Sequence, residues 1–191
     1  CIRDSLEEAA VLTQQALDLS RERGPVLSAL VAMAHVGDPE ETAELMNQLS
    51  ARYPQDTLIQ SVELPLRRAA LALRAGEFEE VLSLLTSVEP YERNFLDSIQ
   101  YRGQALLGLG RAEEAALEFE RLAASRSTWA FAPILRIATL WVGRAHAAAG
   151  NVSPARIAYQ EFLEIMKGAD EGVPLIEEAR AEYAALMEAT G

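Results

Sequence analysis

Apolar and polar residues recur along the chain with the period of amphipathic helices, and the helical stretches come in pairs. Each pair holds an Ala- and Leu-rich stretch, a short turn with glycine, and a second stretch that opens with acidic or capping residues. The turn glycines follow one another at intervals of 34 to 40 residues; they are Gly37, Gly76, Gly110 and Gly150. This period predicts a repeated helix–turn–helix unit, with extra residues in two connections.

The residues at the turns support these boundaries. A glycine after a first helix is expected to adopt the left-handed conformation that closes a helix at low cost. In the first pair, Asp38 is expected to cap the second helix, with Pro39 at its first position. Ser153 and Pro154 are expected to play the same part in the last pair.

Corresponding positions of the last two units hold the same kinds of residue. With the turn glycine at position fifteen, positions eight, twenty and twenty-four are small, small and aromatic. These residues are Gly103, Ala115 and Phe119 in the third unit, and Gly143, Ala155 and Tyr159 in the fourth. The pattern resembles the tetratricopeptide repeat (TPR) family, and the first two units match it less well. The resemblance implies an all-α fold, a right-handed α-α superhelix of TPR-like helix pairs with a C-terminal capping helix.

The chain is therefore predicted to be a single TPR-like repeat domain with flanking helices. The domain spans 1–191. It is expected to consist of a helix of a truncated preceding repeat at 1–22, four TPR-like units at 23–167 and a capping helix at 168–191. Arg-Gly-Pro at 23–25 is expected to end the first helix. The longest interruption, 126–135, carries Trp129 and Phe131, and we interpret it as a hydrophobic plug or, alternatively, an interaction loop.

The charge of the chain limits its partners. A formal net charge of −12 argues against a nucleic-acid surface and against binding an anionic membrane face. No apolar run approaches the roughly 20 residues that a membrane-spanning helix needs. Cys1 is the single cysteine, so neither an internal disulfide nor a thiolate zinc site is expected. Because the chain starts at Cys, we expect it to be a fragment of a longer protein. We expect that protein to be cytoplasmic, or extracytoplasmic if a membrane segment precedes this region.

The sequence offers little for catalysis. The two histidines, His35 and His146, lie more than 100 residues apart, and neither has the neighbours of a metal-ligand pair. His146 is expected to be buried or half-buried. Phosphate loops, dinucleotide fingerprints and nucleophile elbows are absent from the sequence. We predict no catalytic residue, no metal site, no cofactor and no enzymatic activity; an enzyme, as the remote alternative, would require a deep pocket with a strongly shifted carboxylate or histidine.

A narrower resemblance covers the last ninety residues. The strings Tyr-Arg-Gly-Gln-Ala at 101–105, Ala-Tyr-Gln-Glu-Phe-Leu at 158–163 and Glu-Tyr-Ala-Ala-Leu at 182–186 are similar to C-terminal TPR regions of larger bacterial proteins. Such regions often follow a serine/threonine kinase or a winged-helix DNA-binding domain. The resemblance implies a regulatory region whose partner is an attached domain of the same chain. The 191 residues themselves contain no kinase motif.

The TPR resemblance also implies a concave groove lined by the first helices. The groove residues that we select are Arg67, Gln100, Tyr101, Gln104, Trp141 and Arg144. Arginine and aromatic side chains are frequent anchors of binding surfaces. The alternative for Tyr101 and Trp141 is that their side chains pack inside the array and do not face the groove. The expected partner is a protein or peptide, and self-association through residues 4–22 is a second option.

Overall fold

The computed structural model describes residues 11–15, 17–125, 134–170 and 172–189 of the chain, and every regular element among them is helical. The chain divides into two compact units, Cys1–Asn94 and Phe95–Gly191. The prediction of an all-α protein is therefore confirmed. The segment 126–133, with Trp129 and Phe131, lies outside the described residues, so the interpretation of that interruption stays a prediction.

The first unit contains two helix pairs. After helical residues at 11–15 and 17–19, its elements are α1 (Arg23–Val36), α2 (Pro39–Arg52), a π-helical turn (Ile59–Glu63), α3 (Leu64–Ala75), α4 (Phe78–Leu85) and a 3-10 helix (Glu89–Asn94). Successive helices pack on one another, and the two first helices, α1 and α3, also pack together. Their shared core is aliphatic and includes Leu30, Met46 and Ile59.

The second unit continues the same alternation. Its elements are α5 (Asp97–Gly108), α6 (Ala112–Ala124), α7 (Ile134–Ala148), α8 (Val152–Ile165) and α9 (Pro174–Glu188). Each helix packs on the next one, and the two first helices, α5 and α7, also touch. Consecutive helices thus pack in a repeat-like manner in both units.

Three of the four turn glycines behave as predicted. Gly76, Gly110 and Gly150 have φ values of 76°, 73° and 76°, which is the left-handed region that glycine adopts without penalty. The prediction is wrong for Gly37, whose φ of −77° and ψ of 174° are extended. At this helix end the guanidinium of Arg74 supplies hydrogen-bond donors. Its Nη1 donates to the carbonyl oxygens of Ala34 and Gly37, each at 3.1 Å.

The predicted helix starts are confirmed in one pair and corrected elsewhere. Asp38 Oδ1 accepts from the backbone N–H of Glu40 and Glu41, each at 2.9 Å, so the cap of α2 is as predicted. The prediction for Ser153 is wrong, because α8 already begins at Val152 and Ser153 lies inside its first turn. The residues at 23–25 open α1 rather than end the preceding helix, since proline suits the first turn of a helix.

Small residues let the paired helices of the second unit approach closely. A Cβ on Gly103 would lie 2.6 Å from the ring of Phe119, so only glycine fits there without a shift. A Cβ on Gly143 would lie 3.2 Å from the ring of Tyr159. The ring of the second helix in each pair therefore lies directly on the backbone of the first.

Candidate functional site

The polar centre of the second unit is the guanidinium of Arg144 on α7. It forms a two-pronged ion pair with Glu182 of α9, Nε to Oε2 at 2.9 Å and Nη2 to Oε1 at 2.8 Å. Its Nη2 also reaches Oε2 of Glu178 at 3.3 Å. The guanidinium carbon stands 5.1 Å from the ring centroid of Trp141, one turn earlier on α7. Arginine is suited to this role because its planar fork matches a carboxylate.

The ring of Trp141 is held in place by a residue of the preceding helix, α6. Its ring stacks on the ring of Phe119 in α6, with centroids 5.5 Å apart and 21° between the planes. Phe119 in turn lies on Gly103 of α5. The orientation of Trp141 therefore depends on a glycine in another helix, and this half-buried indole forms a fixed platform for the Arg144 cation.

Tyr159 of α8 completes the site from the other side. Its ring lies on Gly143, and its hydroxyl donates to Oε2 of Glu182 at 3.0 Å. The ring of Tyr183 in α9 is 6.3 Å away, tilted by 47°. The carboxylate of Glu182 is thus gripped by a guanidinium and a phenol, which is the donor set of a carboxylate-binding site.

The charges of the site favour ion recognition over proton transfer. Burial alone would lower the pKa of Arg144, but hydrogen bonds and charge from Glu182 prevail and raise it. The pKa of Tyr159 lies above its ordinary value, first because of burial and then because of the nearby Glu182 charge. Arg144 therefore stays cationic and Tyr159 stays neutral around neutral pH, so neither group suits acid–base work there.

The structure brings two of the predicted groove residues together, Trp141 and Arg144. Gln100 and Gln104 are half-buried on α5, one turn apart and hence on one face of the helix. Within the described part of the chain, their side-chain amides make no hydrogen bond. Each carboxamide thus keeps a donor and an acceptor for another molecule.

The other two predicted groove residues depart from the expectation that their side chains face a groove. Tyr101 is 2% exposed, which fits the alternative that it packs inside the array. Arg67, in the first unit, is 3% exposed, and its Nη2 pairs with Oε2 of Glu63 at 3.2 Å. Its Nε and Nη1 have no hydrogen-bond partner among the described residues. In this conformation neither side chain is offered to a partner.

Sequence reasoning missed the acidic members of the site. Glu178 and Glu182 lie one turn apart on the predicted capping helix, but they follow Arg144 by 34 and 38 residues. It also missed Glu120, whose Oε1 lies 2.9 Å from Nε2 of His146. The half-buried state predicted for His146 is confirmed. Only the i,i+4 spacing of the two glutamates was visible in advance, and many solvated helix faces share it.

A separate cleft opens on the first unit between α2, α3 and α4, with a volume of about 540 Å³. It contains none of the predicted groove residues. The apolar part of its lining includes Ala43, Met46, Leu71 and Leu84, and the charged part Arg68, Arg74, Glu77 and Glu80. Charges of both signs at its rim leave this cleft without a preference for one kind of charged ligand.

Within the described ranges, no three His, Cys, Asp or Glu side chains gather into a group that could hold a metal ion. None of the helices in those ranges combines the length and apolar character that crossing a membrane requires. Comparison with protein-family models, with curated proteins and with solved structures yields no match, so the proposals below rest on the geometry of the chain itself.

Proposed function

We propose that this chain is a non-enzymatic protein-interaction module of TPR-like helix pairs, stacked within each unit in the right-handed sense of that family. Its partner is a protein or peptide segment that binds along the first helices of the second unit. The observation that supports the proposal most is a repeated contact: the ring of Phe119 lies against Gly103, and the ring of Tyr159 lies against Gly143. These residues occupy positions eight and twenty-four of consecutive units, where the family pairs a small residue with a large one.

Further features of the packing support the proposal. Ala115 and Ala155, at position twenty of the same units, are both fully buried. The left-handed glycines follow the first helices α3, α5 and α7. First helices also touch first helices within each unit, α1 with α3 and α5 with α7. A row of adjacent first helices is the arrangement that forms a binding wall in helical-repeat proteins.

The wall of α5 and α7 carries groups that suit an extended peptide. The carboxamides of Gln100 and Gln104 have no hydrogen-bond partner among the residues that the structure describes, and each one can donate to and accept from a peptide backbone. Trp141 and Arg144, on α7, add an aromatic platform and a cation. Aromatic and arginine side chains contribute disproportionately to binding free energy at interfaces.

Selection from a random-peptide display library against the purified chain tests this function. The library should yield peptides whose affinity falls roughly tenfold in the double variant Gln100→Ala/Gln104→Ala, because two hydrogen bonds are lost. The matched control is Gln48→Ala/Gln55→Ala, which removes two exposed carboxamides of the first unit. The proposal is wrong if no peptide is enriched, or if the selected peptides bind both double variants as tightly as the native chain.

A further inference from the structure

The terminal helix α9 has fewer fully buried residues than the two helices before it, although Leu175, Tyr183 and Leu186 are partly buried against the core. Of its 15 residues, only Ile176 and Ala179 are buried. The preceding helices α7 and α8 bury six and four residues respectively. Because apolar burial supplies most of the packing free energy, α9 belongs to the least stable part of this unit.

The connection before α9 is mostly exposed. Residues 167–170 and 172 are all exposed, and Gly172 has a φ of 77°. Gly168 has no neighbouring atoms within 4 Å of where a Cβ would stand. Of the described residues of the connection, Met166 and Val173 at its two ends are half-buried against the core, so α9 depends mainly on its own contacts.

Polar contacts make up much of the attachment of α9. Glu182 accepts from Arg144 and from Tyr159, Glu178 lies against Arg144, and the hydroxyl of Tyr183 accepts from Gln160 Nε2 at 2.8 Å. The side chain of Arg144 is still 20% exposed and that of Glu178 is 61% exposed. Ion pairs at this depth can be exchanged for equivalent pairs with another molecule at small net cost.

We propose that the Arg144–Trp141 site is a receptor for an acidic helix of a protein partner, and that α9 is the internal occupant which such a helix displaces. The displacing helix carries two carboxylates one turn apart, as at Glu178 and Glu182, and an aromatic residue directly after the second, as at Tyr183. The inference rests on the proposed function, for which it supplies the chemistry of the partner.

Tethering sets how strong the partner must be. A segment joined by a short connection acts as if it were present at about millimolar concentration. A partner helix at about micromolar concentration therefore displaces α9 only if it binds about a thousandfold more tightly than an untethered α9 helix would, for example through contacts outside this site. The open carboxamides of Gln100 and Gln104 on α5 are one source of such contacts.

The experiment uses the full chain and a fluorescein-labelled peptide with the sequence of residues 174–189. In the double variant Glu178→Gln/Glu182→Gln the internal helix loses its ion pairs, while the added peptide keeps its own. We expect this variant to bind the peptide at least about tenfold more tightly than the native chain does. The control variant Glu177→Gln/Glu188→Gln alters two exposed carboxylates of the same helix and should match the native chain.

Hydrogen exchange of the native chain gives a second measure that needs no variant. Peptide added above the roughly millimolar effective concentration of the tethered helix should speed amide exchange in α9 and leave α7 and α8 unchanged. A peptide with Gln in place of both glutamates should have no such effect.

Two results would overturn the inference. One is an α9 that exchanges as slowly as α7 in Glu178→Gln/Glu182→Gln, with no gain in peptide binding. The other is equal peptide binding after Arg144→Gln is added to that variant. Either result leaves the proposed function standing, because that function is tested with unrelated peptides at Gln100 and Gln104.

Discussion

Single residues decide how closely the helices of the second unit approach. Gly103 and Gly143 occupy equivalent places in consecutive helix pairs, but the space at the two places differs. The ring of Phe119 lies 2.6 Å from a Cβ on Gly103, whereas the ring of Tyr159 lies 3.2 Å from a Cβ on Gly143. Glycine within a helix is otherwise unfavourable by about 1 kcal/mol relative to alanine. Replacing either glycine by alanine would therefore give the same gain in helix propensity, but the steric cost would be larger at Gly103.

We expect Gly103→Ala to destabilise the second unit by about 1–3 kcal/mol, because the methyl group forces Phe119 away from its position. Gly143→Ala should be close to neutral, because the smaller steric cost is offset by the gain in helix propensity. Urea unfolding followed by Trp141 fluorescence measures both, with Trp129→Phe as the common background. Equal losses of stability at the two positions would contradict the packing described for Phe119.

Helix capping gives a second contrast at the scale of residues. Asp38→Ala should lower the free energy of unfolding by about 1 kcal/mol, because two backbone N–H groups of α2 lose their acceptor. Ser153→Ala should not lower it, because Ser153 lies inside α8 and makes no cap. Far-UV circular dichroism in urea compares the two variants. A loss at Ser153 as large as the loss at Asp38 would show that α8 begins later than Val152.

At the scale of elements, the last carbonyl groups of α1 receive donors from another helix, whereas the N–H of Gly37 bonds only to the oxygen of Met33. Because Gly37 is extended, carbonyl oxygens at this end need donors from elsewhere. Arg74 of α3 supplies them, with Nη1 lying 3.1 Å from the carbonyl oxygens of Ala34 and Gly37. The positive charge also suits the negative end of the helix. One side chain thus closes α1 and joins it to α3.

We expect Arg74→Met to destabilise the first unit by roughly 1–3 kcal/mol, because methionine keeps the aliphatic stem and removes the donors. Arg68→Met is the matched control on the same helix, since Arg68 is exposed and has no polar partner in the described ranges. Urea unfolding by circular dichroism measures both. The assignment fails if the two substitutions have the same effect.

At the scale of the whole molecule, charge limits the kinds of partner. The chain carries 29 acidic and 17 basic residues. Many of those basic side chains already form ion pairs with glutamate or aspartate in the described ranges, among them Arg23, Arg67, Arg102, Arg111, Arg121, Arg144, Lys167 and Arg180. Polyanion binding requires clustered cations that are free to contact phosphates.

The net charge of −12 leads us to expect no binding to a fluorescein-labelled DNA duplex in low salt, even at about 100 µM protein. Fluorescence anisotropy measures this directly. An anisotropy rise that disappears as salt is added would contradict this prediction, because it would reveal a basic surface that the composition conceals. A folded acidic protein of similar size serves as the reference for non-specific signal.

The sequence by itself determined the features that depend on neighbours along the chain. Helix period, the left-handed glycines after α3, α5 and α7, and the Asp38 cap all rest on interactions within about one turn, so local pattern predicts them. The TPR resemblance selected Trp141 and Arg144, which lie three residues apart and hence on one face of α7. It went wrong at Gly37, where the deciding side chain, Arg74, is 37 residues away.

Only the tertiary structure decided what each side chain of a first helix meets. Position on a helix gives a direction, and burial depends on which other element stands in that direction. Tyr101 and Arg67 are therefore buried, whereas Gln100 and Gln104 remain half-open on their helix. The pairing of Arg144 with Glu182 joins residues 38 apart in sequence. No local pattern encodes it, because the contact exists only once α9 has packed beside α7 and α8.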